Sequence, residues 1–319
     1  MAAIVIMVVI KMSSNAKIRS QQLITGIIND RNFINSLYDS AQGSFKSYLM
    51  RFFNAENTDG TLSISDLRRN VSSRDYDLFR SVLNQFSKPL VTDEEGSLRL
   101  DKAKKIAGLD KQNLLNAITS IIIAAHSKKV SNYLGNSLVN EYQYAMNFQE
   151  REARAMGYSS ANDYTDTQIM QQADTLLKQK NYGLTVDQRI WIKNDKLTNQ
   201  TNDAVNKGLM IGITQAYMVN KLFKEFTTSP NSVATIFNKT KNFYKNQLIN
   251  QEKTRFGTTA ANDVFNRYQV SMLNWNLAST HSHSDMCDDL AQGSPYAESD
   301  YPNQPHWGCI CFPSPAYKK

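Results

Sequence analysis

Leu114-Leu115-Asn116-Ala117-Ile118-Thr119-Ser120-Ile121-Ile122-Ile123-Ala124-Ala125 decides the fold class of this chain. Leu114, Ile118, Ile121, Ile122 and Ala125 recur at i, i+4, i+7, i+8 and i+11, which sets them on one face of an α-helix. The spacing predicts a helix that begins near Asp110 and runs towards Met156. His126 and Lys128-Lys129 follow the apolar run, so His126 is expected at the surface or partly buried. The same period returns further on. Thr185-Val186-Asp187-Gln188 matches a capping box, with Thr as N-cap and Gln at N3. Trp191 reads as a core residue of the helix that follows. Val219, Leu222, Phe223 and Phe226 form an apolar stripe after a cap at Thr214. Ser229-Pro230-Asn231-Ser232 reads as a turn capping another helix, and Ala261, Val264, Phe265 and Tyr268 repeat the pattern.

The period changes at Leu273, Trp275 and Leu277, which alternate with polar or small residues as in a half-buried strand. Beyond His281 there is little periodicity, and Gly293-Ser294-Pro295 and Tyr301-Pro302 are turn signals. The expected fold is therefore mainly α: a multi-helix body with a small, irregular α+β Cys/His knuckle at the C-terminus. A boundary near Gly157 divides an N-terminal helical region, 13–157, from a helical domain, 158–319, whose last part, 271–319, is the knuckle. Residues 1–12 carry ten apolar residues before Lys11, too few to span a bilayer. A secretory signal places its positive charge before the apolar run. Two readings stay open: a mis-called start with Met12 as initiator, or a short buried strand. No other segment approaches transmembrane length, and no membrane partner is expected.

The knuckle concentrates the chemistry. It holds all three cysteines and three of the four histidines: His281, His283, Cys287, His306, Cys309 and Cys311. Thiolate and imidazole are the preferred ligands of Zn²⁺, and four of them close a tetrahedral site. The candidates are Cys287, Cys309, Cys311, His306 and one of His281 or His283. Three clustered cysteines do not form the even, dispersed set of a disulfide framework. Two other outcomes stay open: free thiols packed in a loop-rich fold, or a disulfide from Cys287 to Cys309 or Cys311 in an oxidising medium. His281-Ser282-His283-Ser284-Asp285 also spells the H-x-H-x-D of some metallo-hydrolases, but Met286 stands where those enzymes carry a further His. Nothing in the sequence marks an oxyanion hole or a lowered thiol pKa for a Cys/His nucleophile, so no enzyme is expected.

The same residues carry a family resemblance. Trp275, His281, Asp285, Cys287, Asp288, Tyr301, Pro302, Pro305, His306, Cys309 and Cys311 together resemble the C-terminal signature of the phage Mu F-like minor head proteins, also described as phage head-morphogenesis proteins. Upstream, Gly208-x-x-x-Gly212-Ile213-Thr214 is similar to the family's short turn before a helix, and Asn250-Gln251-Glu252 with Arg255 stands where the family carries a related motif. The sequence departs from the pattern at Trp307 and Ile310. The resemblance covers roughly the last 140 residues, the size of an ordinary domain. It implies a minor head protein acting in head assembly near the portal, with the portal and other capsid proteins as partners. It also implies a place in the virion, the host cytoplasm during assembly, and contact with packaged double-stranded DNA. The alternatives are a zinc-knuckle DNA-binding protein of a mobile element and a metal-dependent hydrolase.

Charge bears on the DNA expectation. The 319 residues carry a net charge of +7, with 41% hydrophobic and 20% charged residues, 13 glycines and 7 prolines. Hydrophobic content at that level supports real cores, and few glycines and prolines suit long helices. Between Lys196 and Val270, ten basic side chains face four acidic ones, and aromatics interleave at Phe237, Phe243 and Tyr244. Lys221, Lys224, Lys239, Lys241 and Lys245 are the candidates for sequence-independent phosphate contact. The plainer reading is a solvated helix face with its aromatics turned to the core.

Overall fold

The structure, a computed structural model, describes residues 2–57, 59–160, 162–224, 232–278, 280–281, 284–302 and 309–317, with side chains from Asn15 onward. It is mainly α-helical, with a small α+β region at the C-terminus. The helices are α1 (Ala2–Glu56), α2 (Ile64–Leu67), α3 (Ser73–Phe86), α4 (Glu94–Ile106), α5 (Lys111–Ala155), α6 (Asp166–Lys178), α7 (Val186–Ile211), α8 (Gln215–Tyr217), α9 (Val233–Phe243), α10 (Ile249–Tyr268) and α11 (Met286–Gln292). The short strands are β1 (Thr61–Leu62), β2 (Ile213–Thr214), β3 (Met272–Asn276), β4 (Tyr296–Ala297) and β5 (Phe312–Pro315). The opening residues lie within α1, so the short-strand reading of the N-terminus gives way to a helix. Among the described residues no helix is long and apolar enough to cross a membrane.

The chain forms two compact units, each gathered from separate segments. One comprises Met1–Asn32, Leu134–Thr185 and Tyr244–Lys319; the other comprises Phe33–Tyr133 and Val186–Phe243. Helices α1 and α5 each contribute to both units, and no local change of composition marks where they pass from one to the other.

The Phe33–Tyr133/Val186–Phe243 unit is built around the first half of α5. The expected apolar face is buried, but so are Leu115, Ala117, Ile123 and Ala124, which lie off that face. A helix that is apolar all round belongs in the middle of a core. Two of its buried polar groups turn back on their own helix: the Thr119 hydroxyl donates to Leu115 O at 2.9 Å, and His126 Nδ1 lies 2.8 Å from Ile122 O. His126 is thus fully buried rather than at the surface, and burial holds its pKa below the usual imidazole range. Trp191 is in the core as expected, with the Arg99 guanidinium 4.4 Å from its ring centroid.

Between α7 and α8 the chain turns through Gly212, at φ +81°, and β2 pairs antiparallel with β1 (Thr61↔Thr214, Leu62↔Ile213). A Cβ on Gly212 would stand 2.7 Å from the Thr61 methyl carbon, so both conformation and space demand glycine. Thr214 then caps α8 by accepting from Tyr217 N–H at 3.1 Å. The stripe expected next is displaced. Met218–Leu222 is π-helical, with Phe223 N–H donating to Met218 O at 3.1 Å, so Met218, Leu222 and Phe223 turn inward and Val219 is exposed. Phe226 and Ser229–Asn231 lie outside the described residues, while Ser232 accepts from Thr235 N–H at 3.1 Å at the start of α9.

In the other unit, Ala261, Val264, Phe265 and Tyr268 of α10 are all buried as their spacing predicts. Two buried ion pairs tie its segments together. Lys253 Nζ sits 3.2 Å from Asp30, which also accepts from the Ser137 hydroxyl at 2.8 and 2.9 Å, and Arg19 pairs with Glu141. Helix α10 ends on Gln269 in the left-handed region, with Val270 N–H reaching back to Phe265 O at 2.9 Å, a Schellman-type stop. The chain enters β3, the centre of a three-stranded antiparallel sheet ordered β4-β3-β5. Leu273 and Trp275 point inward, as their alternation predicts. Pro313 and Pro315 lie on the edge strand β5, where a missing N–H costs no ladder bond. Gln149 Nε2 donates to Pro313 O at 2.8 Å and Thr254 Oγ1 to Cys309 O at 3.2 Å, which fastens the sheet and the knuckle to α5 and α10.

Candidate metal centre

Two segments deliver the thiols. Cys287 stands in the first turn of α11, whose start is fixed by a capping box: Cys287 N–H donates to Asp285 Oδ1 at 2.7 Å, and Asp285 N–H donates to Asp288 Oδ2 at 2.9 Å. Cys309 and Cys311 lie just before β5, with Ile310 between them. Both side chains are buried and converge with Cys287 although Cys-x-Cys is tighter than the common C-x₂-C knuckle.

All three are buried, and their sulfur atoms lie within 4.8 Å of one another. Cys287 Sγ and Cys309 Sγ are 3.6 Å apart, and all three are free thiols. Two thiolates on one tetrahedral zinc, with Zn–S bonds of about 2.3 Å, stand about 3.8 Å apart. The thiols are electrostatically unequal. Hydrogen bonding from Cys309, the Ala278 backbone N–H and Cys287, with help from His281, holds Cys311 below the usual thiol range despite burial. Cys309 is pushed up, first by its hydrogen bond to Cys311 and then by burial; Cys287 is pushed up chiefly by burial. Three sulfurs this close cannot all carry charge without a cation between them.

The histidine side of the site is organised by carboxylates. His281 Nε2 donates to Asp288 Oδ2 at 2.9 Å and lies 3.7 Å from Asp285 Oδ1. That hydrogen bond raises the pKa of His281 and lowers that of Asp288. Because a carboxylate only accepts, the proton sits on Nε2, and the neutral ring keeps its lone pair on Nδ1 for a metal. His281, Asp285 and Asp288 thus form a second converging group beside the thiols. His283 and His306 lie outside the described residues. Asp288 had no role assigned on the sequence alone, although its position one residue after Cys287 in a capping box was the available signal.

The surroundings fit a thiolate–metal site. Trp275, Ala278 and the three cysteines form one buried cluster, against which Leu277, Leu290, Tyr296 and Tyr301 pack. Trp275 and Tyr301 stack with ring centroids 5.5 Å apart. Their Nε1–H and O–H groups are buried without a hydrogen-bond partner among the described residues. Unpartnered donors beside sulfur are costly next to neutral thiols and useful next to metal-bound thiolates, whose negative charge they offset. Cys287, Cys309 and Cys311 are therefore the residues close enough to hold a metal ion, while His281 converges with Asp285 and Asp288 in a separate group.

The lysine candidates are dispersed by comparison. Lys221, Lys224 and Lys239 are exposed in one unit and Lys245 in the other, while Lys241 pairs with Asp39 at 2.7 Å. Much of the local positive excess is used internally: Lys253 pairs with Asp30, Arg255 with Glu252 at 2.7 Å, and Arg267 with Glu150 at 2.5 Å. Phe237 and Tyr244 are buried, so these aromatics serve the core. The upstream motif residues Glu252 and Arg255 form part of that internal pairing, with Glu252 also accepting from Asn181 Nδ2 at 3.0 Å. Compared with known proteins, the chain matches no family model, no curated protein and no solved structure.

Proposed function

We propose that this chain is a minor head protein of a tailed phage, a structural component of head assembly, and that its C-terminal knuckle is locked by one Zn²⁺. The observation that carries the metal is the convergence of three buried thiols within 4.8 Å, beside an imidazole oriented by a carboxylate. The likeness of the same residues to the Mu F-like signature supports the role in the head. With His281 or His306 joining the three thiols as a fourth protein ligand, the site would keep no position for a substrate water, and the metal would serve the stability of the fold. The portal and other capsid proteins are the partners this role entails. Exposed Lys221, Lys224, Lys239 and Lys245 supply weak, sequence-independent contact with packaged duplex DNA.

Elemental analysis of protein purified under reducing conditions tests the metal, with one zinc per chain expected. A stoichiometry near zero, together with unchanged stability on chelation, rejects it. Immunoblotting of purified particles and of assembly intermediates from the producing strain tests the role. The protein is expected in heads at low copy, and its absence from every particle form rejects the assignment.

A further inference from the structure

A cavity of about 570 Å³ opens in the unit that holds the knuckle, between α10 and the face of the β4-β3-β5 sheet. Its volume is within the range of specific ligand sites, roughly 300–1,000 Å³. One wall is the polar stripe of α10: Gln251, Thr258, Thr259, Asn262 and Asn266, at the spacing of one helix face. The opposite wall is mostly apolar and aromatic, from Leu273, Trp275, Tyr301, Pro302 and Pro313, with Cys311 of the thiol cluster also reaching it.

The charges decide what can enter. Among the described residues of the lining Arg255 is the one basic side chain, and both Nε and Nη2 are held by Glu252, with a further bond from Nη2 to Leu176 O at 3.3 Å. Glu298 stands in the same lining, exposed and without an ion-pair partner among the described residues. A phosphate or another small anion would meet a neutralised arginine and an unpaired carboxylate. Amide and hydroxyl side chains, by contrast, both donate and accept. A ligand that alternates donors and acceptors along an uncharged, partly apolar body is a polypeptide main chain. We infer that the cavity between α10 and the sheet is a peptide site, taking an extended segment of a partner protein with a lysine or arginine beside Glu298. This goes beyond the role in the head and requires neither that role nor a bound metal.

An array of random, end-capped octapeptides probed with the full-length protein tests the inference. Bound peptides are expected to share an uncharged extended stretch with one lysine or arginine. Glu298→Lys is expected to shift selection from basic to acidic peptides. Asn262→Ala with Asn266→Ala, two exposed positions, should weaken the best peptide about tenfold through the loss of two hydrogen bonds. Thermal melting should be unchanged in both variants. No selection by the wild type, or selection indifferent to Glu298→Lys, overturns the inference. So does tighter binding of single-stranded octathymidylate than of any peptide, if the double asparagine variant abolishes it.

Discussion

Replacing Cys309 by Ser separates a metal-locked knuckle from one that merely packs. In metal-free protein the change puts a hydroxyl where the neighbours are the sulfurs of Cys287, at 3.6 Å, and Cys311, both weak hydrogen-bonding groups. A buried hydroxyl left without a good partner costs about 1–3 kcal/mol. Zinc adds a second quantity. With free metal a thousandfold above the dissociation constant, binding stabilises the native state by about 4 kcal/mol, and the variant forfeits most of it. A melting point moves by about 2–4 °C per kcal/mol for a body of 150–250 residues. The gap between wild type and Cys309→Ser should therefore widen by on the order of 10 °C when zinc is supplied. The assay is calorimetric melting of both proteins, stripped by chelator and then reloaded. An equal gap with and without zinc refutes the idea that Cys309 is a ligand, and a melt identical to wild type in both states refutes any structural role.

Lys253→Met alone should destabilise the chain by about 3–5 kcal/mol, because it leaves Asp30 buried and uncompensated; denaturant titration of Lys253→Met with Asp30→Leu should recover a large part, and strict additivity would contradict the pairing. Gly212→Ala should cost about 2 kcal/mol, from positive φ and contact with the Thr61 methyl; Thr61→Ser in the same chain should relieve the steric part on melting. His126 has a lowered native pKa, so the unfolded chain binds its proton first, and stability falls as pH drops below about 6.5. His126→Gln should flatten that acid limb between about pH 7 and 5, and an unaltered pH profile excludes the effect. Duplex DNA binding should weaken as salt rises, and Lys221→Ala with Lys224→Ala should reduce the slope of log affinity against log salt by about two; binding insensitive to salt excludes phosphate contact.

The sequence spoke most clearly where a structure depends on neighbours in the chain. The caps at Thr214 and Ser232, the buried face of α10 and the alternation in β3 are all set within a few residues. The stripe at Val219 misled because a helix period of 3.6 was assumed where the backbone adopts i→i+5 bonding. The all-round burial of α5 was visible in principle, since Leu115, Ala117, Ile123 and Ala124 interrupt any single-face reading. The buried pairing of Asp30 with Lys253 was not visible, because the two residues find each other across more than two hundred positions and neither has a local signature. At the candidate site the clustering of the three cysteines was legible. The orientation of His281 by Asp288 and the unpartnered donors of Trp275 and Tyr301 required the fold.

The carboxylate of Asp288 answers to two masters. The same oxygen receives the Asp285 backbone N–H that begins α11 and the Nε2–H of His281. Fraying of that helix start and rotation of the imidazole therefore share one elementary opening. Amide exchange at Asp285 and the ring's hydrogen-exchange rate should rise and fall together. A bound ion that arrests the ring would be felt in the deuterium uptake of a backbone it never touches.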